Sequence, residues 1–127
     1  MMRIEIPYLP QASLSLNWRG HWGTRSRDTQ QLRKAAKILG LVALSKAEIT
    51  RPMERAVISV TWINRQCRWP DPDNALARLK AAFDGLVDAG VIAGDSHLYV
   101  SYLPILFKLD KRGQPRVIIE VMPDGGS

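Results

Sequence analysis

Alternation of apolar and polar residues predicts four strands along the chain. Residues 3–6 alternate as a half-buried strand does, and Pro7 ends the pattern. Residues 56–64 are rich in β-branched side chains, which predicts a central strand. Residues 98–107 and 116–122 have the composition of two further strands, and the turn-forming residues between them predict a tight connection.

Apolar residues at helical spacing predict two helices between these strands. The first helix is predicted over roughly residues 27–46 and the second over residues 75–89, where Gly90 ends the pattern. Residues 11–27 show no sustained period, which predicts a long surface loop. Loops longer than about 12 residues are uncommon without a function, so this segment is a candidate for binding.

The order of these elements is β-α-β-α-β-β, which predicts an α+β fold with a mixed sheet packed against two helices. The length of 127 residues and the 46% hydrophobic content are those of one domain, so we expect a single domain over residues 1–127. Residues 123–127 read as a loose tail.

The charge balance points to an anionic partner. The chain has 18 Lys and Arg against 12 Asp and Glu, a formal net charge of +6, and a sequence pI near 9.9. A basic surface of this kind favours a polyanion such as nucleic acid.

Cysteine content and hydropathy predict a cytoplasmic location. A single cysteine, Cys67, excludes an intrachain disulfide and zinc sites built on paired cysteines, and it fits a reducing compartment. Glu5 and Pro7 lie where a signal peptide needs an unbroken apolar stretch, so we expect no export by that route. The longest apolar run, residues 38–44, is far short of the ~20 residues that cross a bilayer, so we expect no membrane partner.

Three carboxylates lie near the two ends of the second predicted helix. Asp71 and Asp73 bracket Pro72 at the helix start, and Asp95 follows the helix end. Taken singly, Asp71 reads as a helix cap worth ~1 kcal/mol, and Asp73 as an acid that suits the helix dipole. Taken together, clustered carboxylates without histidine or cysteine ligands suit Mg²⁺, and Mg²⁺ with a polyanion indicates phosphoryl chemistry.

Helical geometry adds a lysine to this group. At ~100° per residue, Lys80 and Asp84 fall within ~20° of the line through Asp73. The three side chains therefore share one stripe, which borders the apolar face of the helix. A row of ordinary ion pairs also explains Lys80 and Asp84.

Four segments resemble the RusA family of Holliday junction resolvases. They are the Pro-Asp-Pro-Asp-Asn element at 70–74, the helical run at 79–90, the Gly-Asp pair at 94–95 and the Asn-, Arg- and His-containing segment at 16–22. The similarity covers roughly residues 16–100. It implies a Mg²⁺-dependent endonuclease that acts as a homodimer and nicks four-way DNA junctions, with Mn²⁺ able to substitute for Mg²⁺.

The same resemblance assigns site residues and shows two departures. Asp71, Asp73 and Asp95 match the metal-binding acids of the family, and Asn74 matches the residue after the second acid. Gly94 stands where the family often has a further acid. Ala77 stands where the family archetype has a lysine, and our geometric inference is that Lys80, on the same face of the helix, serves instead.

We therefore expect the three aspartates to hold Mg²⁺ and Lys80 to neutralise charge on the scissile phosphate. Candidate DNA-binding residues from the flanking basic segments and the resemblance are Asn17, Arg19, His21, Arg25, Arg27, Arg65, Arg68 and Asn74. Two alternatives stay open. One is a non-catalytic basic DNA-binding protein, and the other is a Mg²⁺-dependent phosphohydrolase of small nucleotides.

Overall fold

A computed structural model describes residues 1–124 of the protein. Five strands form one mixed sheet in the order β1-β5-β2-β3, and β4 also pairs with β2. Strand β5 is antiparallel to both β1 and β2, whereas β3 and β4 are parallel to β2. The strand bounds are β1 Met2–Ile6, β2 Ala56–Asn64, β3 Val100–Tyr102, β4 Leu106–Leu109 and β5 Arg116–Pro123.

Two helices complete the fold, α1 Trp22–Ala47 and α2 Pro72–Ala89, with a 3₁₀ turn at Ala12–Leu14. The predicted α+β fold with a mixed sheet and two helices is confirmed. Helix α2 begins at Pro72, and the residue that caps its end, Gly90, has a φ of 85° that glycine adopts without strain. Helix α1 begins five residues before the predicted start, so the predicted loop over residues 11–27 is too long.

The early start of α1 has a local cause. The backbone N–H of Gly23 donates to Nδ1 of His21 at 3.0 Å, which caps the helix. Arg25 and Arg27 therefore lie in α1 and not in a loop.

The predicted strand over residues 98–107 is wrong as one continuous element. Proline has no N–H to donate, and Pro104 interrupts the strand between β3 and β4. Ala56 pairs with Val100, but Thr61 pairs with Leu106. The segment from β3 to β4 therefore contains one residue more than the part of β2 that it faces. Both pieces stay at the same edge of the sheet.

The core lies between one face of the sheet and the two helices. Ile4 pairs with Ile119, which in turn pairs with Val60, so their side chains form one buried row across β1, β5 and β2. Leu32 of α1 and Leu79 of α2 are fully buried in the same cluster. The same face of the sheet thus supports both helices, which fixes the face of α2 that remains for a site.

The two helices approach closely at Gly85 of α2. A Cβ atom placed there would lie 2.3 Å from the carbonyl oxygen of Arg33 and 2.9 Å from Cβ of Ala36. We expect Gly85→Ala to lower the free energy of unfolding by about 2 kcal/mol, because overpacking against backbone outweighs the gain in helix propensity. Equilibrium urea unfolding measures this.

Gly40 of α1 is the matched control for that substitution. Its Cβ would meet only side-chain atoms, the nearest being Cβ of Ala89 at 3.0 Å, so a shift of a few tenths of an ångström between the helices relieves the contact. Gly40→Ala should therefore cost less than Gly85→Ala. Equal stability of the Gly85→Ala variant and the wild type would contradict the close helix contact.

The chain end differs from the predicted loose tail over residues 123–127. Pro123 is the last residue of β5, and the N–H of Asp124 donates to the carbonyl of Arg55 at 3.0 Å. The remaining three residues of the predicted tail lie outside the described residues. Within residues 1–124, no helix has the length and hydropathy that a bilayer crossing requires.

Candidate active site beside helix α2

A cavity of about 690 Å³ opens beside the first half of α2. Leu76, Phe83 and Tyr102 give it an apolar floor, and the Phe83 and Tyr102 rings pack with centroids 5.1 Å apart. The remaining lining residues are Leu16, Arg25, Asp73, Ala77, Lys80, Asp95 and Ser96. Charged side chains of both signs therefore line one partly apolar cavity.

Lys80 connects two carboxylates at this cavity. Its Nζ lies 2.8 Å from Oδ1 of Asp84 and also donates to Oδ2 of Asp95. Burial lowers the pKa of Lys80, but its hydrogen bonds to Asp84 and Asp95 outweigh that effect, so the pKa lies above the ordinary value. The ordinary ion pair between Lys80 and Asp84, one of the two explanations offered by the sequence, is thus confirmed, and 61% of the Lys80 side chain stays exposed.

Asp95 is ionised in the same cluster. Burial raises the pKa of Asp95, but the hydrogen bond from Lys80 and its positive charge lower it below the ordinary value. The Oη of Tyr102 donates to the backbone carbonyl of Asp95 at 3.0 Å. Burial, followed by the negative charge of Asp95, raises the pKa of Tyr102 to about 12, so the phenol stays protonated and holds this loop.

The two acids at the start of α2 are placed differently. Asp73 lies in the first helical turn and lines the cavity. Asp71 is the N-cap residue: its carbonyl accepts from the N–H of Ala75 at 2.8 Å, but its side chain makes no capping hydrogen bond. Asp71 does not line the cavity. In the described part of the chain, no three Asp, Glu, His or Cys side chains form a group that could hold a metal ion.

Five of the predicted DNA-binding residues lie just before α1 or in its first two turns. Only one of these five lines the cavity. Arg25 lines it, whereas His21 caps α1 and its ring stacks on that of Trp22 with centroids 5.7 Å apart. Arg27 is 73% exposed, and its Nε lies 3.8 Å from Oδ1 of Asp28. The remaining two, Asn17 and Arg19, are exposed residues before the helix.

The other predicted DNA-binding residues lie on the far side of the start of α2. Asn74 uses its Oδ1 to accept from the N–H of Leu16 at 2.9 Å, which ties the loop before α1 to α2. Asn74 and Arg68 line a second cavity, and Arg65 lines a groove together with Lys111. The predicted residues therefore form two groups separated by the first turn of α2.

A buried hydrogen bond, which was not predicted from the sequence, joins the loop before α1 to the helix. Asp28 is 7% exposed, and Oγ of Ser13 donates to its Oδ2 at 2.6 Å. The signal was present, because Asp28 precedes Leu32 and Ala36 at four-residue intervals and thus occupies the buried stripe of α1. This contact sets the position of the residues that precede Arg25.

Comparison with known proteins places the chain in a family. No family model matches the sequence. The chain is 31% identical over 120 residues to an uncharacterized protein of Xylella fastidiosa, and the match covers 94% of this chain and 76% of that protein. The chain belongs to the same family as that protein.

Proposed function

We propose that the protein is a Mg²⁺-dependent endodeoxyribonuclease of the RusA type, which resolves four-way DNA junctions by paired nicking during recombination and repair in the cytoplasm. The observation that carries this proposal is the cavity that Asp73 and Asp95 share with Lys80 and Arg25. Metal-assisted phosphodiester hydrolysis requires carboxylates that hold a hard cation and positively charged side chains that hold the phosphate.

Two carboxylates at this cavity support the proposal of Mg²⁺. Asp73 and Asp95 offer carboxylate oxygens on one cavity wall, and Asp95 already binds one cationic group, the ammonium of Lys80. Mg²⁺ in proteins is commonly held by one or two carboxylates, with waters and substrate phosphate completing its shell. Asp73 and Asp95 would hold the ion, and Asp71 remains the third proposed ligand. A bound Mg²⁺ supplies Lewis-acid charge that favours ionisation of a water and stabilises the phosphate.

The basic side chains have a separate role in this proposal. Lys80 and Arg25 line the same cavity as the acids, which supports a role for them in binding the phosphate on which negative charge develops. Asp84 holds the ammonium of Lys80 on the cavity side of α2. Tyr102 positions Asp95 through the backbone of its loop.

A homodimer follows from the reaction. Paired nicks across a symmetric junction require two active sites related by a two-fold axis, and a second copy of the chain would supply the second site. The formal net charge of +6 per chain supports binding of the converging phosphate backbones at a junction.

Incubation with a labelled four-way junction and a matched linear duplex, with and without Mg²⁺, tests the proposal. We expect nicks in opposite strands of the junction that require Mg²⁺, and no nicking of the duplex. Junction binding without cleavage at any Mg²⁺ concentration would instead identify a non-catalytic DNA-binding protein. Release of phosphate from free nucleotides without nicking would identify a nucleotide phosphohydrolase.

A further inference from the structure

A second cavity, of about 370 Å³, lies on the other side of the first turn of α2. Asp73 faces the first cavity, and its neighbour Asn74 lines the second. The other lining residues come from the segment after β1, the end of β2, the loop before α2 and α2 itself; they are Leu9, Trp62, Asn64, Arg68, Trp69, Pro70 and Arg78. Two indole rings and two guanidinium groups thus line one small concave site.

Arg78 is a partly buried cation in this cavity. Its guanidinium carbon lies 5.1 Å from the centroid of the Trp62 ring, and its Nε donates to the carbonyl of Pro10 at 3.0 Å. Burial lowers the pKa of Arg78. Among residues 1–124, no carboxylate lies within ion-pair distance of it, although desolvated charges are normally paired. Nη2 of Arg78 also donates to the carbonyl of Pro10, but this acceptor is uncharged, so an anion bound here would supply a countercharge that the described residues do not.

The rest of the lining suits a planar ligand attached to that anion. Trp69 packs against Phe107 with ring centroids 5.6 Å apart and remains partly exposed. Arg68 is exposed, and its backbone carbonyl accepts from Nδ2 of Asn64 at 3.2 Å, which holds the loop at the end of β2. Nε1 of Trp62 is buried and has no hydrogen-bond partner among the described residues.

We infer that this cavity binds one unpaired nucleotide of a DNA strand, with its phosphate between Arg68 and Arg78 and its base against Trp69. Aromatic side chains stack on bases of any sequence, and arginine pairs with phosphate. The inference rests on the proposed nuclease function and deepens it. A base can enter such a cavity only where the duplex is open, so the cavity would select branched DNA over linear duplex beside the cut site.

Binding of a labelled oligothymidylate about ten nucleotides long, without Mg²⁺, tests this inference on the full chain. We expect Arg68→Gln and Trp69→Ala each to weaken binding about tenfold, the loss of one stacked or charge-paired nucleotide. Arg51→Gln and Tyr99→Ala are matched controls, because both side chains are exposed and lie outside the cavity. Arg78 is left unchanged because its loss would also release the carbonyl of Pro10.

The same variants are measured on a duplex of equal length, where Trp69→Ala should bind as the wild type does and Arg68→Gln should lose no more affinity than the Arg51→Gln control. Equal losses in the cavity and control variants, or equal losses on single strand and duplex, would overturn the inference. If the wild type nicks junctions in Mg²⁺ while its cavity variants bind oligothymidylate normally, the cavity inference alone is overturned. If oligothymidylate binding depends on the cavity residues but no junction is nicked, the cavity inference stands and the nuclease proposal is overturned.

Discussion

Asp73→Asn is expected to lower Mg²⁺-dependent junction nicking ~100-fold or more while the fold is preserved. Substitution of groups that only orient metal ligands costs 10- to ~100-fold, so loss of a direct ligand should reach at least the upper value. Asparagine is tolerated in the first turn of a helix, and the exposed Asp73 side chain contributes nothing to the core. Junction binding should be normal or stronger, because one negative charge is removed from the cavity that is proposed to bind DNA.

Asp88→Asn is the matched control on the same helix. Asp88 lies near the other end of α2 and pairs with Arg33 of α1, with Nε and Oδ2 2.6 Å apart, outside the cavity. It should retain nicking. Fluorescence anisotropy of labelled junction, a nicking assay and thermal unfolding separate binding, chemistry and folding. More than a few per cent of wild-type nicking in Asp73→Asn would contradict the assignment.

Asp71→Asn and Asp95→Asn should likewise abolish nicking. Asp95→Asn also removes the acceptor that Lys80 shares with Asp84, so its unfolding must be measured alongside its activity. A neutral Asp95→Asn variant would transfer the proposed ligand role of Asp95 to Asp84.

Periodicity predicted the elements whose burial is one-sided. Strand β1 alternates buried Ile4 and Ile6 with exposed Glu5, and the apolar stripe of α2 was complete from Leu76 to Val87. The start of α1 could not be read in this way, because its first turn contains no apolar repeat. It forms through the His21 cap and the tertiary hydrogen bond from Ser13 to Asp28.

The break between β3 and β4 was readable from the sequence. Pro104 lies inside the predicted strand, and proline in a strand that must donate to a neighbour interrupts the pairing. The prediction gave more weight to the β-branched and aromatic residues on both sides of Pro104 than to the proline itself.

Part of the candidate site follows from helical geometry. The 100° step predicted that Asp73 and Lys80 face the same side of α2, and both line one cavity. The place of Asp95 beside Lys80 depends on where the loop after α2 returns to the sheet, which spacing alone does not define. Arg78 was missed, because its environment is made by Trp62 and Pro10, which are distant in sequence.

Junction binding in the absence of Mg²⁺ should depend steeply on salt. Each neutralised phosphate contributes a slope of about −0.9 in log K against log salt, so a dimer that contacts about six phosphates should lose ~10³-fold in affinity between about 50 and 200 mM salt. Substituting Arg25 and Arg27 together by alanine should make the slope shallower. Arg25 lines the cavity with Asp73, and the exposed Arg27 has only a long contact to Asp28, so both are available to phosphate.

The double substitution Lys111→Ala with Arg112→Ala removes the same charge from the turn between β4 and β5. We expect a smaller change there, because a turn at the end of two strands commonly carries solvated charge. Lys111 does line a groove with Arg65, so this pair also reports a different route for the DNA. An unchanged slope in the Arg25 and Arg27 variant, with a shallower slope in the Lys111 and Arg112 variant, would move the DNA path away from the Asp73 cavity and toward that groove.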